Sequence, residues 1–350
     1  TPMPTKPTTT TAFASLFPVV HGIYTELHPL AADICCALAA SNSNGGLIDR
    51  TTVHVGAGYG ADMRIALLHG AQSVLGLEIE EHQCKLATML PDELWRSLHT
   101  DPVVSRLYDE AIMRTVVRRY SAEWHAVKQM LPFPPPKERY SVIAADVTQA
   151  DVRVDNILDR PRDVLIGNMA LHWLVRSMSV ESALDALAPL VMPGGVAVFS
   201  VPYHLVEAVD AQKDEWARQR TIHRSVAYSR FNEALFEILG LRAIDSSAPG
   251  KVSGMLIKDS DIFHGSSTFQ FEQMHTRYIA PLNASVYDVL RGLGMFEAML
   301  ATKRKAEELV DIVFQAINRS RSLGDRYTDD EDTGCPGTFV RFYVLRRCEE

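Results

Sequence analysis

Val53-His-Val-Gly-Ala-Gly-Tyr-Gly-Ala-Asp62 is the stretch on which the reading of this chain turns. A short β-branched run enters a turn with glycine at every second position, Gly56, Gly58 and Gly60, and a helix-like segment follows from Met63 to His69. Glycine tolerates positive φ and lets a ligand lie against bare backbone. The amides that open the next helix then face that ligand. About twenty residues on, Val74-Leu-Gly-Leu-Glu78 predicts a second strand that ends in a carboxylate, placed to grip a ribose diol. The pattern predicts a nucleoside-cofactor site at the first βα turn of a doubly wound α/β sheet.

The spacing narrows the cofactor. Dinucleotide sites use Gly-x-Gly-x-x-Gly, the third glycine letting a pyrophosphate approach the helix. Here the spacing is Gly56-Ala57-Gly58-x-Gly60, and Asp62 stands where a phosphate needs neutral or positive surroundings. A carboxylate repels pyrophosphate but attracts a sulfonium and an α-ammonium group, so the chemistry points to S-adenosylmethionine (SAM), with S-adenosylhomocysteine as the product. Two bland readings stand beside this one. The turn could be a tight turn without a ligand, and Asp62 could simply pair with Arg64 or Lys85, although exposed pairs contribute little.

Three further segments follow in order. Tyr140-Ser-Val-Ile-Ala-Ala-Asp146 predicts a strand ending in Asp146, suited to an adenine amino group, with Val147 beside it. Asp163-Val-Leu-Ile-Gly-Asn-Met-Ala-Leu-His-Trp173 predicts a strand running into a polar and aromatic edge. Leu190–Ser200 reads as a Pro193-Gly-Gly195 turn and a strand, after a crossover helix over Val180–Leu190. Ligands of open α/β sheets bind outside the carboxyl ends of the strands. Glu78, Asp146 and Asn168 all fall at such ends.

On these motifs, Thr52 to Val201 resembles the class I SAM-dependent methyltransferases. The implied fold is a Rossmann-like sheet with helices on both faces and insertions forming a substrate-side subregion. A narrower likeness is to the mRNA cap guanine-N7 methyltransferases. It is carried by Gly56, Gly58, Gly60 and Asp62, by Asn168-Met-Ala-Leu-His172-Trp173, by Pro202, by Tyr278-Ile279 with the helix-like Val286–Gly294, and by the terminal strand Phe339–Leu345. That resemblance implies methyl transfer to guanine N7 of a capped RNA 5′ end (GpppN), with a capping-apparatus protein as an implied partner. Guanine N7 has a free lone pair and no proton to lose. No general base is then required, and the reaction rests on proximity and alignment. His172, Trp173, Pro202, Tyr203 and Tyr278 would wall the acceptor slot, Trp173 by stacking. Trp173 capping the core is the plainer alternative.

One departure bears on the acceptor. The acidic residue that reads the guanine edge in that family falls on Arg277, and a guanidinium has no acceptor. Either Glu272 or another carboxylate substitutes, the base is held differently, or the acceptor is not a cap. A small-molecule carboxyl or carbon methyltransferase is the competing enzyme reading, with Arg277 as a carboxylate clamp. A non-catalytic methyltransferase-like subunit is a third, and the intact turn, Glu78 and Asp146 speak against it.

The chain has 350 residues, 47% of them hydrophobic, and a net charge of −8, which argues against extended RNA binding but not against a short cap-proximal contact. Basic clusters at Arg114/Arg118/Arg119, Arg218/Arg220/Arg224/Arg230 and Lys303/Arg304/Lys305 read first as solvated helix faces. No apolar run reaches the roughly 18 residues of a membrane span, and no secretory signal is visible. Five cysteines without a Cys-x-x-Cys pair suggest an intracellular, reducing compartment, nucleus or cytoplasm, with viral origin open, and no metal site. The chain opens on Thr1, which reads as a processed, trimmed or excised polypeptide.

The expected organisation is a flexible arm at 1–12, a SAM-binding core at 13–205 with a peripheral helical insertion near 94–136, and a substrate-side subregion with the final core strands at 206–350. Phe13–Ala40 reads as helical, and the family resemblance lays such a helix over the cofactor mouth, with His21 and Tyr24 as lid contacts. Val206–Leu239 reads as a helix, Leu241–Ala248 as a strand and Gly250–Phe271 as irregular and strand-rich. Ser285–Gly294 and Phe296–Ser320 read as helices, Ser322–Gly337 as a loop and Phe339–Arg346 as the last strand.

Overall fold

The β-branched and aliphatic runs of the sequence become the strands of a single seven-stranded sheet. The computed structural model describes residues 27–101, 104–105, 110–149, 160–209, 238, 256–279, 311–312, 315 and 338–349. In chain order the helices and strands that build the site are α1 (Leu27–Asn42), β1 (Thr51–Val55), α2 (Ala61–Leu68), β2 (Ser73–Glu78), α3 (Glu81–Thr88), α4 (Pro91–Thr100), α5 (Glu110–Met130), β3 (Tyr140–Ala144) and β4 (Arg162–Asn168). They continue with α6 (Leu171–Leu174), α7 (Val180–Leu187), β5 (Val191–Pro202), β6 (Val206–Glu207), β7 (Ile257–Lys258), α8 (Asp259–His264), β8 (Phe269–Ile279) and β9 (Thr338–Arg347).

The strand order is β3-β2-β1-β4-β5-β9-β8. The first five are parallel, while β9 runs antiparallel to β5 and β8 antiparallel to β9. The order reverses between β1 and β4, the topological switch point at which open α/β sheets bind ligands. Because β9 runs against β5 and β8 runs against β9, the start of β9 at Phe339 and the end of β8 at Tyr278 lie at the same sheet edge as the carboxyl ends of β1, β2, β4 and β5.

Strands buried on both faces read as near-continuous apolar runs. Along β5, Val196 and Val198 enter one core with residues of α1, α2, α4 and α5, whereas Ala197, Phe199 and Val201 enter the other with α7 and α8. Helices therefore cover both faces, and the expected Rossmann-like three-layer architecture is the one observed. No helix among the described residues is long and apolar enough to cross a membrane.

Some sequence expectations need correction. The insertion between β2 and β3 is helical from Glu81 rather than Leu94. It is not peripheral either, because Met113, Val116, Tyr120, Trp124 and Val127 of α5 are part of the core. Val206 does not start a helix: Val206–Glu207 pairs in parallel with Ile257–Lys258, a tertiary partner overriding local periodicity. Within the stretch read as strand-rich, Asp259–His264 is a helix. Its Asp259 is buried and accepts from Arg341 Nη2 at 2.9 Å, Tyr343 Oη at 2.7 Å and the Val209 amide at 3.2 Å. The arm at 1–12, His21, Tyr24, most of 206–239, the strand at 241–248, the helix at 285–294, nearly all of 296–320 and the loop at 322–337 lie outside the described residues.

Candidate active site

The glycine turn takes the conformation its composition predicts. Gly56, Gly58 and Gly60 have φ of 65°, 54° and 84°, a region that costs other residues roughly 1–2 kcal/mol each. At Gly56 closeness adds to φ, since a Cβ there would stand 3.1 Å from Cβ of Ala170 in the loop after β4. The Gly58 amide donates to Glu78 Oε2 at 2.8 Å, and the Gly56 amide donates to the Leu77 carbonyl at 2.9 Å. The turn is thus moored to the end of β2.

Glu78 also accepts from the Glu80 amide through Oε1, at 3.1 Å. Burial raises its carboxyl above the ordinary range, while these amides pull it back. Neighbouring Glu80 is pushed up to about 7, by burial first and by the Glu78 charge second. At the end of β3, Asp146 accepts from Thr148 Oγ1 at 2.6 Å, the Thr148 amide at 3.0 Å and Gln149 Nε2 at 3.0 Å. A carboxylate offers about four acceptor sites, so Glu78 and Asp146 retain capacity for a ligand. Val147 packs half-buried next to Asp146.

Asp62 stands in the first turn of α2 and is 2% exposed. Asn168 Nδ2 donates to its Oδ1 at 3.0 Å, and His28 Nδ1 lies 3.7 Å from the same oxygen. Asn168 in turn is fixed from both sides. Its Oδ1 accepts from Ser200 Oγ at 2.6 Å, and its Nδ2 also faces the His28 carbonyl at 3.1 Å. Met169, directly after it, has φ of 54°, held there by bonds from its amide to Ser200 Oγ at 2.9 Å and Ser200 O at 3.1 Å. A non-glycine residue locked in this region at a strand end is the strain expected where a loop is shaped for a ligand. The bland pairings of Asp62 are absent: Arg64 pairs with Glu123 at 2.8 Å, and Lys85 with Glu81 at 3.0 Å.

Two aromatic groups flank this edge. His172 is buried and Trp173 is 37% exposed on the short α6, their rings 5.5 Å apart. Tyr203 and Tyr278 are brought together through Phe339, with ring distances of 6.3 Å and 5.1 Å, and the Arg341 guanidinium lies 5.1 Å from the Tyr203 ring. Pro202 pairs with Val340 in the adjoining ladder. Arg277 is exposed at the same end of β8, its Nη1 3.4 Å from the Thr276 carbonyl.

Sequence reading missed two residues. His28 reaches the Asp62–Asn168 pair from a helix that gives no local sign of it. Ile79 is 58% exposed immediately after Glu78, an apolar face beside that carboxylate and suited to a flat base. Its signal was available, since an isoleucine directly after a strand's terminal carboxylate is an unexplained apolar residue at a ligand edge.

Neither a family model nor a curated protein matches the chain. Among solved structures it is similar to YjhP from Escherichia coli (12% identity, 95% of this chain and 99% of that one, TM-score 0.43). It is also similar to YcgJ from Bacillus subtilis (11%, 92% and 100%, TM-score 0.41). A third is a protein from Galdieria sulphuraria described as a "putative sarcosine dimethylglycine methyltransferase" (11%, 91% and 85%, TM-score 0.40). These likenesses are distant, and the reading of the site rests on its own geometry.

The donor set fits SAM. Asp62 and Glu78 stand at the glycine turn, Asp146 follows the strand β3 that adjoins β2, and the nearby Arg64 is buried in an ion pair of its own. A diol, an amino group and a cationic sulfonium amino acid are complementary to such a set, whereas a pyrophosphate is not.

Proposed function

We propose that this protein is a SAM-dependent methyltransferase whose acceptor is a small molecule bearing an acidic group. The cofactor half of the reading is supported by Asp62 and Glu78 at a glycine turn beside the switch point of the sheet, with Asp146 following the neighbouring β3. In it, Glu78 takes the ribose diol, Asp146 and Val147 the adenine, and Ile79 supplies an apolar face. Gly56, Ala57, Gly58 and Gly60 supply the close backbone, while Asp62, oriented by Asn168, takes the ammonium end. Bound SAM supplies an already activated methyl group. The protein's part is to exclude water and align acceptor and donor, with reacting atoms about 3–3.5 Å apart.

The single observation that favours a small acidic acceptor over a cap lies on β8. Arg277 occupies the site end of that strand. Glu272, one carboxylate that could substitute for a guanine reader, is engaged by Arg346 through Nε and Nη2, the second at 3.1 Å. It also lies seven residues from Ile279, the last residue of β8, and hence away from the site edge. Among the described residues of β8 no carboxylate is left to accept from guanine N1–H and N2–H. An exposed guanidinium, by contrast, suits a carboxylate. The aromatic residues Trp173, Tyr203 and Tyr278 supply apolar wall to either acceptor.

The test is methyl transfer from labelled SAM to a panel of small carboxylic acids, run beside GpppG-capped and uncapped RNA. Label on a carboxylic acid, with KM raised by Arg277→Gln, supports the reading. Label recovered as 7-methylguanosine overturns the acceptor assignment and restores the cap. Absence of SAM binding by calorimetry overturns the cofactor assignment itself.

A further inference from the structure

A fully buried charge sits directly behind the glycine turn. Arg64, in the first turn of α2, is fully buried. Its Nε donates to Glu123 Oε2 at 2.8 Å, and its Nη2 lies 2.8 Å from that same oxygen. Nη1 donates to the carbonyl of Tyr59, inside the turn, at 3.0 Å. The guanidinium is boxed by aromatic rings, 4.1 Å from Tyr120, 5.1 Å from Trp124 and 5.8 Å from Tyr59. Tyr120 and Tyr140 donate to the Leu86 and Ala87 carbonyls at 2.9 Å and 2.8 Å, closing the box against α3. A Cβ on Gly60 would meet the Tyr140 hydroxyl and stand 3.1 Å from Arg64 Nη1.

Glu123, Tyr120 and Trp124 all belong to α5, the long helix inserted between β2 and β3. A buried ion pair is poor evidence for stability, because desolvation offsets its Coulomb attraction and well-packed apolar replacements often do as well. Its presence here calls for another role. Among the described residues, what Arg64 reaches outside the box is the backbone of the turn, at the Tyr59 carbonyl.

We propose that Glu123 is a positioning residue for the cofactor turn: it orients Arg64, which hooks the Tyr59 carbonyl and fixes the backbone from Gly56 to Gly60. The inserted helix is then a brace for the cofactor site rather than a surface for a partner. The inference rests on the SAM reading for its binding readout, and it has a second readout that does not need SAM.

The experiment compares the intact protein with Arg64→Met/Glu123→Leu, which replaces the pair by apolar groups of similar size, and with Glu123→Gln, which keeps an acceptor but removes the charge. Three quantities are read: melting temperature, SAM affinity by calorimetry, and hydrogen exchange of the peptide spanning Val53–Asp62. The expected result is a folded double variant with SAM affinity weaker by about tenfold or more, since small displacements at a site are costly, and faster exchange at the turn. Glu123→Gln should lie between it and the parent. A folded double variant with unchanged affinity and unchanged exchange overturns the proposal and leaves the pair a packing feature. If the double variant does not fold, Glu123→Gln carries the same two outcomes. If the parent protein binds no SAM, the cofactor reading fails, and exchange at the turn alone decides the role of Glu123.

Discussion

Asn168 donates from Nδ2 to Asp62 Oδ1 across 3.0 Å, and this bond joins the end of β4 to the start of α2. The two residues are 106 apart in sequence, yet each fixes the rotamer of the other, with Ser200 and His28 closing the network. The carboxylate is thereby oriented in advance at the glycine turn. Orientation of this kind lowers the entropic cost of binding.

Asp62→Asn tests the charge. The amide keeps an oxygen to accept from Asn168, so the fold should hold, while the attraction for a cationic ligand is lost. A charge-assisted hydrogen bond is worth about 2 kcal/mol, so SAM affinity should fall roughly thirtyfold. Calorimetry on the folded variant checks it, and unchanged affinity would remove Asp62 from the cofactor site.

Much of this arrangement was legible in the sequence because the signals are local. The glycine spacing, the β-branched runs and the carboxylates at predicted strand ends each lie within a few residues of what they determine. The contacts that were not legible are long-range. Nothing around His28 announces a partner at Asn168, 140 residues away, and nothing around Glu123 announces Arg64. The same physics explains β6: Val206–Glu207 takes its conformation from Ile257–Lys258, beyond any local window. The strain at Met169 was equally hidden, because Ser200 from the neighbouring strand holds it. The candidate acceptor residues were legible only as residue types at a strand edge, and the grouping of Tyr203 and Tyr278 through Phe339 required the antiparallel β9.

Trp173→Ala separates acceptor from cofactor. The side chain is 37% exposed on a one-turn helix, so its removal should cost little stability. Aromatic packing at such a site is worth about 0.5–1.5 kcal/mol, and acceptor KM should rise by roughly two- to tenfold. SAM affinity should stay within about twofold of the parent, a difference of only ~0.4 kcal/mol. Equal losses in both would make Trp173 a structural residue.

His54 predicts a pH dependence of stability. It is fully buried in β1, its Nε2 3.0 Å from Thr52 Oγ1, and burial lowers its pKa from 6.5 to about 4, against a smaller opposing pull from Asp62. Between those values the unfolded chain binds the proton and the folded protein does not. Stability therefore falls as pH drops from 6.5 towards 4, by up to about 3 kcal/mol from this group. Urea unfolding at pH 7 and pH 4.5 should show a steeper loss in the parent than in His54→Gln. Equal slopes would mean that His54 titrates normally in the fold.

Gly60→Ala tests whether the turn is set by conformation or by space. Gly60 has φ of 84°, and a Cβ there would strike the Tyr140 hydroxyl and approach Ala87 Cβ and Arg64 Nη1 at 3.1 Å. The left-handed backbone costs about 1–2 kcal/mol and the overpacking about 1–3 more. Gly45, with φ of 90° and nothing within 4 Å of its Cβ position, carries the first cost alone. Gly60→Ala should therefore destabilise the protein by about 2–5 kcal/mol against about 1–2 for Gly45→Ala, and only the former should weaken SAM binding. Were the two variants equally destabilised, the aromatic box behind the turn would have room to yield, and the close packing of Tyr140 and Arg64 against Gly60 would lose its claim to shape the site.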